Sequence, residues 1–169
     1  MIFIGLGANL DGPWGPPAAS IARALAELPA HGVTVRRRAW LYRTAPVPAS
    51  DQPWVVNTVA EVATDLPPDA LLAVLHAVEE AGGRVRRARW EARVLDLDLL
   101  DHDGRVQAGA GPGQAILPHP RLAGRAFVLL PLAELAPGWK HPATGRLIGD
   151  LIAALDPAQQ AKPVAEGWK

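Results

Sequence analysis

Between Arg84 and Asp98 the chain reads Arg-Val-Arg-Arg-Ala-Arg-Trp-Glu-Ala-Arg-Val-Leu-Asp-Leu-Asp, so five arginines within ten residues lead directly into two aspartates one residue apart. Guanidinium is planar, permanently charged and able to grip phosphate oxygens two at a time. Aspartates at i and i+2 of a strand point to the same face, with Cα atoms roughly 7 Å apart. Like charges so placed are costly unless a cation or a hydrogen-bond network compensates them, and Mg²⁺ takes one or two carboxylates together with phosphate oxygens. The pairing therefore points to polyphosphate and magnesium chemistry. An isolated Asp-x-Asp is more often two solvent-facing residues of an amphipathic strand; the adjoining arginines shift that balance toward function.

Other chemistries lack support. The 17 basic and 17 acidic residues cancel, so the arginine run is a local patch on a neutral chain, and its target is expected to be a small molecule rather than nucleic acid. There is no cysteine, hence no thiolate nucleophile or thiolate metal site, and no Gly-x-Ser-x-Gly elbow. Gly5-Leu-Gly7-Ala-Asn-Leu10 completes neither the Gly-x-Gly-x-x-Gly nor the Walker A pattern; its glycines suit a tight strand exit or a close approach of another backbone. Of the five histidines, only His119, within Leu117-Pro-His-Pro-Arg121, has a suggestive setting; His31, His102 and His141 are placed in loops. The apolar N-terminal run is too short for a signal segment or a membrane span, and a soluble cytoplasmic protein is expected.

The elements that must position these residues follow from periodicity. With 169 residues and 49% hydrophobic composition, one domain spanning 1–169 is expected. Ile2 to Leu6 is a short buried strand. Ile21, Leu25 and Leu28 repeat at helical spacing after Pro17, and Leu71, Leu75 and Val78 do so after Pro67-Pro68. Val33 to Tyr42 and Val55 to Thr64 suit strands, the former with Val33, Val35 and Arg37 on one face, and Asp96-Leu-Asp98 lies on another strand. The order is β-α-β-β-α-β. This is an α+β, ferredoxin-like core: a mainly antiparallel sheet with helices on one face, the other face left for ligands. Beyond it, 107–114 is a Gly/Ala-rich loop, Phe127 to Leu135 suits a helix interrupted early by Pro131, and Leu147 to Leu155 suits a last helix. These form a C-terminal helical extension, and 156–169 reads as a loosely held tail.

Gly5-Leu-Gly-Ala-Asn-Leu10, Tyr42-Arg-Thr44, Asp51-Gln-Pro53 with Asn57, Gly83-Arg-Val-Arg86, Arg89-Trp90, Arg93-Val-Leu-Asp-Leu-Asp98, Pro118-His119 and Arg125-Ala-Phe127 occur in one order. In order and spacing this set resembles the 6-hydroxymethyl-7,8-dihydropterin pyrophosphokinase family, over roughly Ile2 to Pro137. The resemblance implies transfer of the β,γ-pyrophosphoryl group of MgATP to the hydroxymethyl oxygen of a reduced pterin in folate biosynthesis, with AMP released. It implies two Mg²⁺ ions on Asp96 and Asp98, and mobile-loop arginines, Arg84 and Arg93, closing on the triphosphate. ATP contacts are implied for His76, Arg86, Trp90, Leu99, Ile116, His119 and Arg125. Pterin contacts are implied for Thr44, Ala45, Val47, Val55, Asn57, Trp90 and Phe127. ATP and the reduced pterin are the small-molecule partners implied; apart from the resemblance, no nucleic acid and no membrane partner are expected, and a monomer is.

The chain departs from the family pattern in places. Val55 stands where an aromatic is common, so either the pterin is stacked on one side only or Trp54 turns inward. Glu91-Ala92 replaces a common Gly-Pro before the loop arginine, and Gln114 stands where some relatives carry a nucleotide-contacting arginine. Glu79 matches a recurring glutamate, to be read either as an ion-pair partner of the arginine loop or as a ligand contact. A catalytically degenerate nucleotide- or pterin-binding module and a metal-dependent phosphodiester hydrolase are the competing readings.

Overall fold

The computed structural model describes residues 1–45, 51, 53–83 and 94–164. In chain order the elements are β1 (Ile2–Ala8), α1 (Pro17–Glu27), β2 (Thr34–Arg38), β3 (Leu41–Thr44), β4 (Val55–Ala63), α2 (Pro68–Ala81), β5 (Asp96–His102), α3 (Ala126–Leu135), α4 (Ile148–Ala153) and β6 (Ala161–Val164). They form a six-stranded sheet in the order β5-β1-β4-β3-β6, with β2 also paired to β4. Every pairing is antiparallel.

On its first face, Ile2, Ile4 and Leu6 of β1 and Leu97 and Leu99 of β5 meet the apolar stripes of α1 and α2, including Ile21, Leu25, Leu71, Leu75 and Val78. Each helix begins at a proline, whose fixed φ suits the first turn. On the second face Phe3, Val59 and Leu100 pack against Val128, Leu129, Leu132 and Leu135 of α3 and Ile148 and Leu151 of α4. The helices of the β-α-β-β-α-β unit thus keep to one face, and the C-terminal extension covers part of the other. That second face is not wholly open to ligands, as expected from sequence, but only at the end beyond Phe3, Val59 and Leu100.

Four local expectations change. The strand placed over Val33 to Tyr42 is two strands, β2 and β3, broken at Ala39 and Trp40. The freed backbone groups find partners: the Ala39 N–H donates to the Val59 carbonyl, the Thr58 hydroxyl donates to the Ala39 and Trp40 carbonyls, and the Glu134 carboxylate accepts the Trp40 N–H. A bulge between Val35 and Arg37 turns Arg37 away from Val35, toward Glu61, whose carboxylate it meets at 2.6 Å. Helix α3 runs through Pro131 rather than breaking. An interior proline costs about 3 kcal/mol, whereas burying Val128, Leu129, Leu132 and Leu135 contributes about 1.5–3 kcal/mol each. Finally, 161–164 is no loose tail but β6, paired to β3 with Thr44 opposite Ala161 and Tyr42 opposite Pro163. A proline is tolerated there because β6 lies at the sheet edge.

Candidate active site

The register fixes which side chains share the open end of the second face. Asp96 lies opposite Gly7 and Asp98 opposite Gly5 across the β5–β1 pair, while Gly7 lies opposite Asn57 across the β1–β4 pair. Paired residues of neighbouring strands project to the same side. Asp96 and Asn57 are therefore separated by one strand only, roughly 10 Å at two interstrand spacings, and the residue between them is a glycine. The two aspartates alternate with Leu95, Leu97 and Leu99, all buried in the first-face core, which holds the carboxylates on the opposite side.

Gly7 has a specific reason to be glycine: a Cβ there would sit 2.5 Å from Asn57 Oδ1. The close approach expected of this motif is that of a side chain. Asn57, itself buried, donates from Nδ2 to the Thr44 hydroxyl at 3.1 Å, and Thr44 lies opposite Val55. Thr44, Val55 and Asn57 so form one polar-apolar edge beside the glycine floor. Trp54 does not complete it. Arg43, which pairs with Val56 on the first face, places its guanidinium 5.7 Å from the Trp54 ring centroid. The indole stays on the far side of the sheet, and of the two arrangements open from sequence the structure has Trp54 turned away.

Helix α3 closes the site from the other direction. Its first residues carry Phe127, and the Arg125 guanidinium lies 5.3 Å from the Phe127 ring centroid, a cation–π distance. Upstream, the Leu117–Pro118 peptide is cis, and the His119 N–H donates to the Leu100 carbonyl of β5. His119 Nδ1 accepts the Arg121 N–H at 3.2 Å, leaving Nε2 as the protonated nitrogen, 3.8 Å from Asp98 Oδ1. Burial first, then the charge of Arg125, hold this imidazole down at about 4 even though Asp96 pulls the other way. At neutral pH it is an uncharged N–H donor.

Glu79 was open between an ion pair and a ligand contact. Its carboxylate accepts the main-chain N–H of Leu97, the residue between the two aspartates, at 2.8 Å, and the side chain is 1% exposed; the arginine loop lies outside the described residues. Helix α2 thereby holds β5, an edge strand, by an N–H that would otherwise face away from the sheet. The signal was in the sequence: Glu79 continues the stripe of Leu71, Leu75 and Val78, where a carboxylate needs a buried donor.

The remaining expected residues are distributed unevenly. His76 lies on α2, one turn before Glu79 and half-buried. The Leu99 side chain is in the core, so only its main chain can meet a ligand. Ile116 is exposed, on a segment held by the Ala115 N–H and the Gln107 amide, both donating to Asp69. Gln114 accepts the Ala110 N–H, which closes its own loop. Ala45 follows Thr44 at the end of β3. Val47, Arg84, Arg86, Trp90 and Arg93, with Glu91 and Ala92, lie outside the described residues.

The donor set suits a hard cation. Among the described residues no cluster of three or more His, Asp or Glu side chains gathers, so of these residues only the two carboxylates would hold a metal here, with further oxygens coming from substrate and water. That is the ordinary habit of Mg²⁺ at phosphate sites. No helix among the described residues is long and apolar enough to cross a membrane.

Comparison with known proteins converges on one family. The family model for 7,8-dihydro-6-hydroxymethylpterin-pyrophosphokinase matches residues 3–137. The chain is 40% identical over 157 residues to the 2-amino-4-hydroxy-6-hydroxymethyldihydropteridine pyrophosphokinase of Methylorubrum extorquens, covering 92% of this chain and 94% of that protein. To the enzyme of the same name from Pseudomonas aeruginosa it is 38% identical, covering 90% of each. Among solved structures, a triple mutant of Plasmodium falciparum HPPK-DHPS with SDX-DHP superposes with a TM-score of 0.67 at 14% identity, over 90% of this chain and 43% of that one, a likeness of fold. With most of its length matched by the family model, and by relatives over nearly their whole length, the chain belongs to the 6-hydroxymethyl-7,8-dihydropterin pyrophosphokinase family.

Proposed function

We propose that this protein transfers the β,γ-pyrophosphoryl group of ATP to the hydroxymethyl oxygen of 6-hydroxymethyl-7,8-dihydropterin, yielding the pterin diphosphate and AMP, with two Mg²⁺ ions held by Asp96 and Asp98. One observation carries the residue assignment. A carboxylate pair suited to Mg²⁺ and an amide–hydroxyl edge suited to a heterocycle share a single face, with only Gly7 between them. Two such subsites one strand apart fit a transfer between two bound substrates better than hydrolysis of one.

The substrate hydroxyl attacks the β-phosphorus, the bond from that phosphorus to the α,β-bridging oxygen breaks, AMP leaves with the oxygen, and the hydroxyl proton passes to solvent water. Bound Mg²⁺ would neutralise the triphosphate and draw the reacting oxygens together. The protein's own groups orient and stabilise. Thr44 fixes the Asn57 carboxamide, which keeps one N–H and its oxygen for the pterin edge. Phe127 offers a ring face for stacking, and Arg125, lying against it, joins the pterin side to the phosphate side. Neutral His119 directs its Nε2–H toward the carboxylates, where phosphate oxygens would stand. Arg84 and Arg93, by resemblance, add charge to the migrating group as its bonds break. A loose phosphoryl transition state needs positioning and charge more than a strong base.

Incubation with MgATP and the hydroxymethyl dihydropterin is expected to give AMP and pterin diphosphate in equal amounts. ADP as the only nucleotide product, ATP loss independent of the pterin, or binding of both substrates without turnover would each overturn the proposal.

A further inference from the structure

The segment from Asp156 to Val164 touches both elements that carry the pterin-side residues. Asp156-Pro-Ala-Gln159 is a tight turn: the Gln159 N–H donates to the Asp156 carbonyl at 3.0 Å, and the Ala158 N–H donates to the Asp156 carboxylate at 2.9 Å. Asp followed by Pro at the first two positions of a type I turn pre-sets that geometry. The turn delivers the Gln159 side chain to the start of α3. Its Oε1 accepts the Ala126 N–H at 2.9 Å, and its Nε2 donates to the Gly124 carbonyl at 2.8 Å.

Those contacts flank Arg125 on both sides. The first turn of α3 has no capping side chain of its own, since Arg125 occupies the N-cap position without a side-chain bond to the helix. Uncapped N–H groups let a helix end fray, and a cap contributes about 1 kcal/mol. Here the cap comes from 33 residues downstream. It restrains the backbone from Gly124 to Ala126, and so the directions in which Arg125 and, one residue on, Phe127 leave the chain. Two residues beyond Gln159, β6 begins, with Ala161 opposite Thr44. One short segment thus ties the strand bearing Thr44 to the helix bearing Phe127.

Resting on the function proposed above, we infer that Gln159 is a positioning residue for the pterin subsite: its carboxamide bridges Ala126 and Gly124 and aims Phe127 and Arg125, while β6 fixes Thr44 at the same end. Gln159 itself touches no substrate.

Gln159→Ala in the full-length protein is expected to raise KM for the pterin about five- to tenfold, raise KM for ATP less, and leave kcat within about twofold. Gln159→Glu keeps an acceptor for the Ala126 N–H but sets a carboxylate oxygen against the Gly124 carbonyl, and should recover only part of the pterin KM, whereas Gln159→Asn, one methylene shorter, should behave like the alanine variant. Calorimetric pterin binding, in the presence of a non-hydrolysable ATP analogue, should weaken in parallel without any turnover. Unchanged pterin KM and affinity in the alanine variant, beside an active parent protein, would overturn the role of Gln159 and leave the proposed reaction intact. So would a lowered melting temperature with all kinetic constants unchanged, or a glutamate variant no better than alanine. Should the alanine variant not fold, the contrast between Glu and Asn decides alone. A parent protein that makes no AMP would instead refute the proposed reaction.

Discussion

At one end of the sheet's second face β1 presents Phe3; two and four residues on, the same strand presents Gly5 and Gly7 to the same side. Around Phe3 and Gly5 stand Val59, which lies opposite Gly5, and Leu100, sealed by α3 and α4. Around Gly7 stand Asn57 on one neighbouring strand and Asp96 on the other. Both ends share strands, pairing and register, so backbone geometry does not separate core from site. Side-chain volume and polarity do. Phe3 packs a helix down onto the sheet, whereas Gly7 leaves a trough into which polar groups of adjacent strands can lean.

The comparison breaks most severely where charge is removed from the open end. Asp96→Ala and Asp98→Ala are each expected to cut Mg²⁺-dependent turnover by about 10³-fold or more, since metal stabilisation of developing phosphate charge is worth several kcal/mol, and 1.36 kcal/mol is tenfold in rate. Melting temperatures should hold or rise, because crowded carboxylates add little to stability. Assays across a Mg²⁺ series check this. Full activity in both variants would remove the metal assignment.

Gly7 and Gly5 offer a sharper contrast, because the chemical change is identical and only the place differs. An added Cβ at Gly7 meets Asn57 Oδ1 at 2.5 Å, while at Gly5 it meets the Leu100 side chain at an ordinary 3.5 Å. Neither position needs a positive φ. Gly7→Ala should therefore displace the carboxamide and raise the pterin KM about tenfold or more, with Gly5→Ala nearly silent. Steady-state kinetics on the pair measure it; equal effects would mean that the trough is not set by the missing side chain.

A smaller effect is expected from the far side of β5. Glu79→Ala leaves the Leu97 N–H buried without its acceptor, a cost of about 1–3 kcal/mol. Loosening the strand between the aspartates should raise the Mg²⁺ concentration needed for half-maximal rate several-fold. Glu79→Gln keeps an oxygen acceptor and should restore most of both losses. Thermal melts and Mg²⁺ titrations together test this, and a glutamine variant as impaired as alanine would point to a role for the charge itself.

Much of this arrangement is legible in sequence, and what is not shares a cause. Helices α1 and α2 announce themselves by apolar spacing between prolines and glycines, and Asp96-Leu-Asp98 by charge alternating with leucine. Those signals are local. The break between β2 and β3 is held by Thr58 and Glu134, 18 and 94 residues from Trp40. Strand β6 has four residues, one of them proline, and no alternation to read. Gln159 looks like any polar residue after a turn until α3 is folded beside it. Pro131 misleads because a local rule is outweighed by burial against residues far away in the chain. The site is better signposted than its supports: Asn57, His119 and Phe127 lie in motifs, whereas the groups that orient them are defined only by tertiary contact.

The smallest effect concerns the boundary between the two ends. Tyr42 lies opposite Asn57 but turns its phenol to Glu134 of α3, donating at 3.0 Å. Burial, then that hydrogen bond and the carboxylate's charge, push its pKa up to about 12. A group whose folded pKa stands above its unfolded value of about 10 favours the folded state at lower pH and loses that contribution as pH rises between the two values. The protein should therefore lose stability from about pH 10 to about pH 12 partly through Tyr42. Tyr42→Phe should flatten that part of the decline in denaturant titrations across the range, while costing little stability at neutral pH, because the hydrogen bond to Glu134 lies at the exposed margin of this half-buried ring. Its pterin KM should stay near that of the parent protein, because the phenol belongs to the covered end even though its Cα stands in the same row as Asn57. A large rise in KM would instead mean that the Tyr42–Glu134 contact helps shape the open end, and that the line between core and site does not fall between neighbouring residues of one row.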